Sequence, residues 1–245
     1  MLKGIYSAAS GMIPQVKKQE IAANNIANAA TTGFKKDNVF LKNLSEAKQG
    51  LAQKRSEWER PMLDQVYTDF SQGTFTNTSE RLDMAIKGDG FFVLESPTGE
   101  ERVYTRNGNF SIDSEGYLSN KDGYRVLSDA GPIAVNSSDV EISSNGDVIV
   151  DSTPVSKIQV ADFEDYSQLE KTSSTSFTVP EGVEPVSSND YELQQGYLEQ
   201  ANINIIKEMV NMIITMRNYE SNAKALQAQD ESLSTLFSKV GQTQM

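Results

Sequence analysis

The side chains able to do acid–base work in this sequence are carboxylates, lysines and tyrosines, because the chain contains no histidine and no cysteine. Without histidine there is no ordinary general base at neutral pH, no Ser–His–Asp arrangement and no imidazole metal ligand. Without cysteine there is no thiolate site and no disulfide framework. The carboxylates Asp89, Asp113, Glu115, Asp122 and Asp147 stand in or beside glycine-containing turns, and a facing carboxylate pair is what hydrolyses glycosides. Tight turns, however, use Asp and Glu beside Gly for their own hydrogen bonds. The GDG and NG stretches lack calcium-loop spacing, and no phosphate-binding glycine loop occurs. The sequence therefore points away from catalysis, and no cofactor or metal is expected.

The chemistry that does recur is that of amides. Residues 24–36 read NNIANAATTGFKK, a helical pattern loaded with a poor helix former. Asn24 and Asn28 lie one turn apart on a helix. Near the other end Asn204, Asn211 and Asn218 recur every seven residues, and Asn222 follows one turn later. Amides set regularly into apolar helices fix register at some cost in stability, so an interface role is expected for them.

Two helices must position these amides. Leu2, Ile5, Ala9, Met12, Val16, Gln19, Ala23, Ile26 and Ala30 alternate spacings of three and four, as a coiled-coil seam does. Pro14 falls inside this seam and predicts a bend or a frayed first turn. Gly33 supplies a stop, with Lys35 and Lys36 beyond it. The same spacing returns from Leu198 to Val240 through Asn202, Ile205, Met209, Met212, Met216, Tyr219, Ala223, Leu226, Asp230, Leu233 and Phe237. Ile206, Val210, Ile213 and Ile214 form a second stripe beside it. A helix apolar around most of its circumference needs burial on most sides, and this chain holds one other long helix. The surplus calls for partners.

Between the helices, glycines at 90, 99, 108, 116, 123 and 131 separate short β-rich runs such as FFVLE, RVYTR and YRVLS. NG in TRNGNF, DG in NKDGYR and NG in SSNGDV read as hairpin turns. The expected organisation is α+β. A discontinuous, coiled-coil-like helical domain comes from both termini (1–36 and 197–245), around a central all-β domain of short hairpin-connected strands (82–163). Extended connectors span 37–81, with a lone Trp58, and 164–196. The net charge of −12 argues against nucleic acid and anionic membranes. No segment has the length and apolarity of a transmembrane span, and the N-terminus lacks the apolar core of a cleaved signal.

These motifs carry a resemblance. IAANNIANAATTGFKK, LDMAIKGDGFF, YTRNGNFSID, GYLSN and GYLEQANINIIKEMVNMIITMRNYESNAKALQAQD are similar to signatures of the flagellar rod and hook axial proteins, of the basal-body rod type, over nearly the whole chain. The resemblance places Asn24, Asn25, Asn28, Thr32, Gly33, Phe34 and Lys35 on the N-terminal assembly motif. It places Leu198, Glu199, Asn202, Ile205, Glu208, Met209, Met212, Met216, Arg217, Tyr219 and Glu220 on the C-terminal one. It implies a non-enzymatic subunit in the rod of the basal body, within the cell envelope, whose terminal helices pack into a torque-transmitting tube. The implied partners are copies of itself, homologous rod subunits and the flagellar type III export apparatus, with no cleaved signal. The short chain places the expected position in the proximal rod, with the distal rod as the alternative, because GYLEQANIN and KEMVNMI look closer to that type. A secreted coiled-coil adhesin or chaperone forming a closed oligomer shares the seams, but the second stripe speaks against it.

Overall fold

The computed structural model describes residues 2–43, 61–99, 101–135, 140–151, 153–180, 182–187 and 190–242. The fold is α+β, with a helix at each end and strands between. The chain forms two compact units. One comprises residues 1–27, 37–68 and 204–245, and the other residues 28–36 and 69–203.

In the helical unit, α1 (Leu2–Ala27) packs along α2 (Ile205–Gln242). The helix α1 ends well short of Lys36, because residues 28–36 belong to the β unit. It also continues through Pro14, where a bend or a frayed first turn was expected, with no break in the helix. Proline there removes a helical donor, and its ring is buried in the unit. The pairing is antiparallel. Asn222 lies against Gly11, where an added Cβ would meet its amide nitrogen at 3.3 Å, so glycine admits the close approach. A groove of about 300 Å³ is lined by Lys18, Ala22 and Asn25 on one side and Glu208, Asn211 and Thr215 on the other. The segment 37–81, expected as a connector, begins with two paired strands, β1 (Asp37–Asn43) and β2 (Pro61–Thr68), with a register shift between Phe40 and Leu41. Trp58 lies outside the described residues.

In the β unit, the strand Phe91–Glu95 is central. Successive side chains of a strand point to opposite faces, and here both faces are buried. Phe92 and Leu94 join a core with Met84, Ile86, Phe110 and Val126. Phe91 and Val93 join an aromatic one with Tyr104, Phe163 and Phe177. Strands Arg102–Thr105 and Arg125–Ser128 flank it in antiparallel register. Two of the three expected turns are present: NKDGYR joins Leu118–Ser119 to Arg125–Ser128, and SSNGDV joins Val140–Ile142 to Asp147–Val150. TRNGNF does not turn back. Gly108 instead lies against the Met84 carbonyl, too close for any Cβ, and its own carbonyl accepts from Met84 N at 3.0 Å. The segment 164–196 also contributes strands: Tyr191–Gln195 pairs with Met84–Gly88. Tyr197–Glu199, expected as helix, is a strand paired with Phe75–Asn77.

Candidate assembly site

The N-terminal motif splits between the two units. Asn25, fully buried at the end of α1, donates from Nδ2 to the Asp37 carbonyl at 2.9 Å and accepts from Asp37 N at 3.0 Å. One amide thus acts as a short strand partner and closes the excursion of residues 26–36. Thr68 Oγ1 donates to the Asp37 carboxylate at 2.7 Å and fixes the far side of that junction. Asn28 Oδ1 accepts from Thr31 Oγ1 at 3.4 Å in the turn that follows the helix. The helix α2 is started by Asn204, whose Oδ1 accepts from Lys207 N at 3.0 Å, the arrangement of an N-cap. Asn25, Asn28 and Asn204 therefore make local contacts within the chain, and Asn28 and Asn204 are two of the six asparagines that the sequence suggested as interface amides.

In the β unit, Thr32, Gly33, Phe34 and Lys35 form a plug. Phe34, Lys35 and Glu199 are almost wholly buried. Lys35 Nζ donates to Glu199 Oε1 at 2.7 Å and to the Ser71 carbonyl at 2.9 Å. The same carboxylate oxygen accepts from Gly73 N at 2.8 Å, and Arg106 approaches the other at 3.5 Å. Gly33 N donates to the Glu199 carbonyl at 2.8 Å. Gly33 has φ +70, and the Arg106–Asn107 backbone leaves no room for a Cβ there, so the position requires glycine twice over. Lys171 sits 4.1 Å from the Phe34 ring centre and donates to the Lys35 carbonyl at 3.0 Å. Asn202 ties the ends together: its Oδ1 accepts from Lys36 N at 2.9 Å, and its Nδ2 donates to the Asp69 carbonyl at 2.7 Å. Thr32 donates to Asn107 Oδ1 at 2.8 Å.

Burial pulls the Lys35 ammonium below its ordinary pKa, and the attraction of Glu199 opposes this. A buried charge without a partner is costly, so Glu199 with its cations is one unit of structure. The sequence had placed Lys35 and Glu199 in their motifs but not together, and it had missed Arg106, Ser71 and Asn107. The available signal was a glutamate within the otherwise uncharged stretch GYLEQAN. Among the turn carboxylates, Asp113 serves its turn. Asp113 accepts from Tyr117 N, Glu115 N and Arg125 Nε at 2.8–3.1 Å. The bond from Tyr117 N above all holds its pKa below the usual range.

The C-terminal motif residues fall into three groups. Leu198, Glu199 and Asn202 belong to the β unit, the first two of them buried. On α2, Glu208, Met212, Thr215, Tyr219, Asn222 and Leu226 are sheltered or half-buried, at spacings of three and four. Ile205, Met209, Met216, Arg217 and Glu220 are exposed, together with Ile206, Val210, Ile213 and Ile214. On α1 the sheltered row is Pro14, Lys18, Ala22 and Asn25, the last three one position before Gln19, Ala23 and Ile26 of the seam expected from the sequence. Val16, Ala23 and Asn24 of that helix are exposed.

Fold and exposed rows define a structural subunit whose two ends lie side by side with apolar seams left open, and whose β unit is closed by the segments adjoining those ends. Comparison with known proteins agrees with this. Three family models match: Flagella basal body rod protein over residues 5–35, Flagellar hook protein FlgE/F/G D1 domain over 85–150, and Flagellar basal body rod FlgEFG protein C-terminal over 194–238. The chain is 34% identical to the flagellar basal-body rod protein FlgG of Borreliella burgdorferi, across 95% of this chain and 97% of that one. It is 32% identical to the FlgG of Bacillus subtilis, across 96% and 98%. It is 28% identical to the flagellar basal-body rod protein FlgF of Buchnera aphidicola subsp. Schizaphis graminum, across 95% of both. The chain belongs to the flagellar basal-body rod protein family, whose members are structural and not enzymes.

Proposed function

We propose that this rod subunit self-assembles through α1 and α2 into the wall of a helical tube that transmits torque, while the β unit remains a separately closed body. The observation that carries this reading is the row Ile206, Met209, Val210, Ile213 and Met216, exposed along α2. Apolar surface of that extent on a soluble monomer marks an interaction site. Copies of the same chain and homologous rod subunits are the partners that cover this row. Delivery is through the flagellar type III export apparatus.

For the position along the rod, the C-terminal motif carries more weight than chain length. Leu198, Glu199 and Asn202 sit in packed or hydrogen-bonded places, whereas length differences accumulate in surface loops. That motif favours the distal rod. The proximal position, which the short chain led us to expect from the sequence, is thereby moved to the second reading. Electron microscopy of basal bodies from an in-frame deletion strain tests both. Arrest at a nearly complete rod without a hook is expected. Arrest at a short stub would move the subunit to the proximal position, and complete flagella would refute a rod role. The closed-oligomer alternative predicts a discrete trimer or tetramer in analytical ultracentrifugation, and a monomer would exclude it.

A further inference from the structure

The sequence contains Asn–Gly twice, at Asn107–Gly108 and Asn145–Gly146. At such a pair the main chain can attack the preceding side chain with little hindrance, because glycine has no side chain to obstruct its nitrogen. The attack requires the asparagine amide to swing onto the nitrogen that follows it, so what holds the amide decides whether it occurs. The two sites hold it differently. Asn107 is half-buried. Its Oδ1 accepts from Thr32 Oγ1 at 2.8 Å and from Asn109 N at 3.2 Å, and its own N donates to Thr105 Oγ1 at 3.0 Å. Gly108 is wedged against Met84, whose N donates to the Gly108 carbonyl at 3.0 Å. Asn145 is exposed in the turn between Val140–Ile142 and Asp147–Val150. Among the described residues, no hydrogen bond holds its side-chain amide. The main chain there is tied by Gly146 N, which donates to the Ser143 carbonyl at 2.9 Å, and by Gly146 O, which accepts from Ile158 N at 2.8 Å. Reaction at Asn145 therefore needs only a local opening of one surface turn.

We propose that Asn145 is a site of spontaneous deamidation in the folded protein, and that the docked N-terminal segment shields Asn107 from the same reaction. Gly146 N attacks Asn145 Cγ and forms a new C–N bond. The nitrogen's proton passes to the departing amide, which leaves as ammonia, and a five-membered succinimide remains. Water then adds to one of the two ring carbonyls and breaks its bond to the nitrogen. Opening at Cγ gives aspartate, and opening at the main-chain carbonyl gives isoaspartate. Either product adds a carboxylate two residues from Asp147, in a chain whose net charge is already −12. Isoaspartate also lengthens the main chain of the turn by a methylene. The Asn145 carbonyl accepts from Tyr191 Oη at 3.2 Å, so this product loosens the turn from the strand Tyr191–Gln195. At Asn107 the same swing would break the bonds from Thr32 and Asn109 together, and the first of these comes from the plug.

The purified chain, held at mildly alkaline pH and physiological temperature, is digested under acidic conditions and mapped by mass spectrometry. Conversion of amide to acid is expected to grow with time at Asn145 and to be absent at Asn107. Isoaspartyl methyltransferase should label the aged protein, and Asn145→Gln should lose that label. In urea both asparagines should convert, because the fold no longer separates them. Thr32→Val, which keeps the shape of the side chain without its hydroxyl, should begin to convert at Asn107 while its circular dichroism stays that of the parent. An Asn145 that converts in urea but stays intact in the folded chain overturns the proposal. Equal conversion of Asn107 and Asn145 in the folded chain overturns the shielding, as does an Asn107 that stays inert in Thr32→Val.

Discussion

The β unit and the helical unit treat their apolar and charged residues in opposite ways. In the β unit, Phe91–Glu95 is covered on both faces, and even the carboxylate of Glu199 is buried between Lys35 and Arg106. In the helical unit, α2 shelters one row of side chains and leaves isoleucines and methionines open along the rest. A unit that satisfies itself can fold to a definite end. A unit with apolar rows left over reaches its lowest free energy only when neighbours cover them, as the rod reading requires. The split of NNIANAATTGFKK across the two units follows from this. Its first half ends a helix, and its second half completes a core.

The sharpest way to break the contrast is to open the closed unit. Lys35→Met removes the principal cation beside Glu199 and leaves Arg106 at 3.5 Å as its remaining charged partner. Removing one member of a buried pair costs about 3–5 kcal/mol. Urea unfolding followed by hydrogen exchange should show that loss in strands Met84–Gly88 and Tyr197–Glu199. The double variant Lys35→Met/Glu199→Gln should lose less than the sum of its single variants, because the two sites share one interaction. An unchanged midpoint in Lys35→Met would mean that the plug is not part of the core.

Asn25→Ala tests the helical unit's own closure. It removes a donor and an acceptor from the Asp37 backbone in a buried place, and leaving such groups unsatisfied costs about 1–3 kcal/mol. Faster exchange is expected at Asp37 N and along β1. Protection of the β unit that fell as far as in Lys35→Met would blur the distinction between the two units.

How much of this was legible in the sequence depends on how far apart the cooperating residues are. NKDGYR and SSNGDV were readable as turns because the strands they join are adjacent. TRNGNF misled because Gly108 answers to Met84, in a different strand, and not to its own neighbours. The α2 seam was visible in its spacing. Which row faces α1 was not, because the helix carries apolar residues on nearly every side. The plug was hidden for the same reason as Gly108. Lys35 and Glu199 are 164 residues apart, and no periodicity links them. Two asparagines read as interface amides also have local duties, a turn at Asn28 and a helix cap at Asn204, and Asn25 is a junction clasp, duties that a lone residue type does not announce.

Acid should act on the β unit through its carboxylates. Burial pulls Asp69 upward, but hydrogen bonds from Ser71 and the charge of Lys36 outweigh it and hold its pKa below the usual value. Asp165 is lowered by its bonds from Ser167, and Asp113 is lowered as described above. A folded pKa below the unfolded one means that the unfolded chain takes up protons first as pH falls. The stability these groups contribute is therefore complete above about pH 4 and is lost as pH drops through their folded values. Thermal unfolding between pH 7 and pH 3 should show a flat upper range and a fall below about pH 4. A decline that began near neutrality would point to other groups.

The smallest effect on folding should accompany the largest on assembly, and this separates the two rows of α2. Met209 is 50% exposed, whereas Met212 is half-buried in the row that faces α1. Both were placed on one seam by their spacing, but the structure gives them different exposure. Met209→Asp should change monomer stability by no more than about 0.5 kcal/mol, as exposed substitutions do, while abolishing incorporation into rods. Met212→Asp should block incorporation too, but only by also loosening α1 from α2, visible as lost helical ellipticity in the monomer. Quantitative blots of purified basal bodies, set beside circular dichroism of each monomer, distinguish the two. If Met209→Asp assembled at the wild-type level, the open row would not be the surface that neighbours cover. If Met212→Asp left the helices intact, the sheltered row would be the interface and the exposed one incidental.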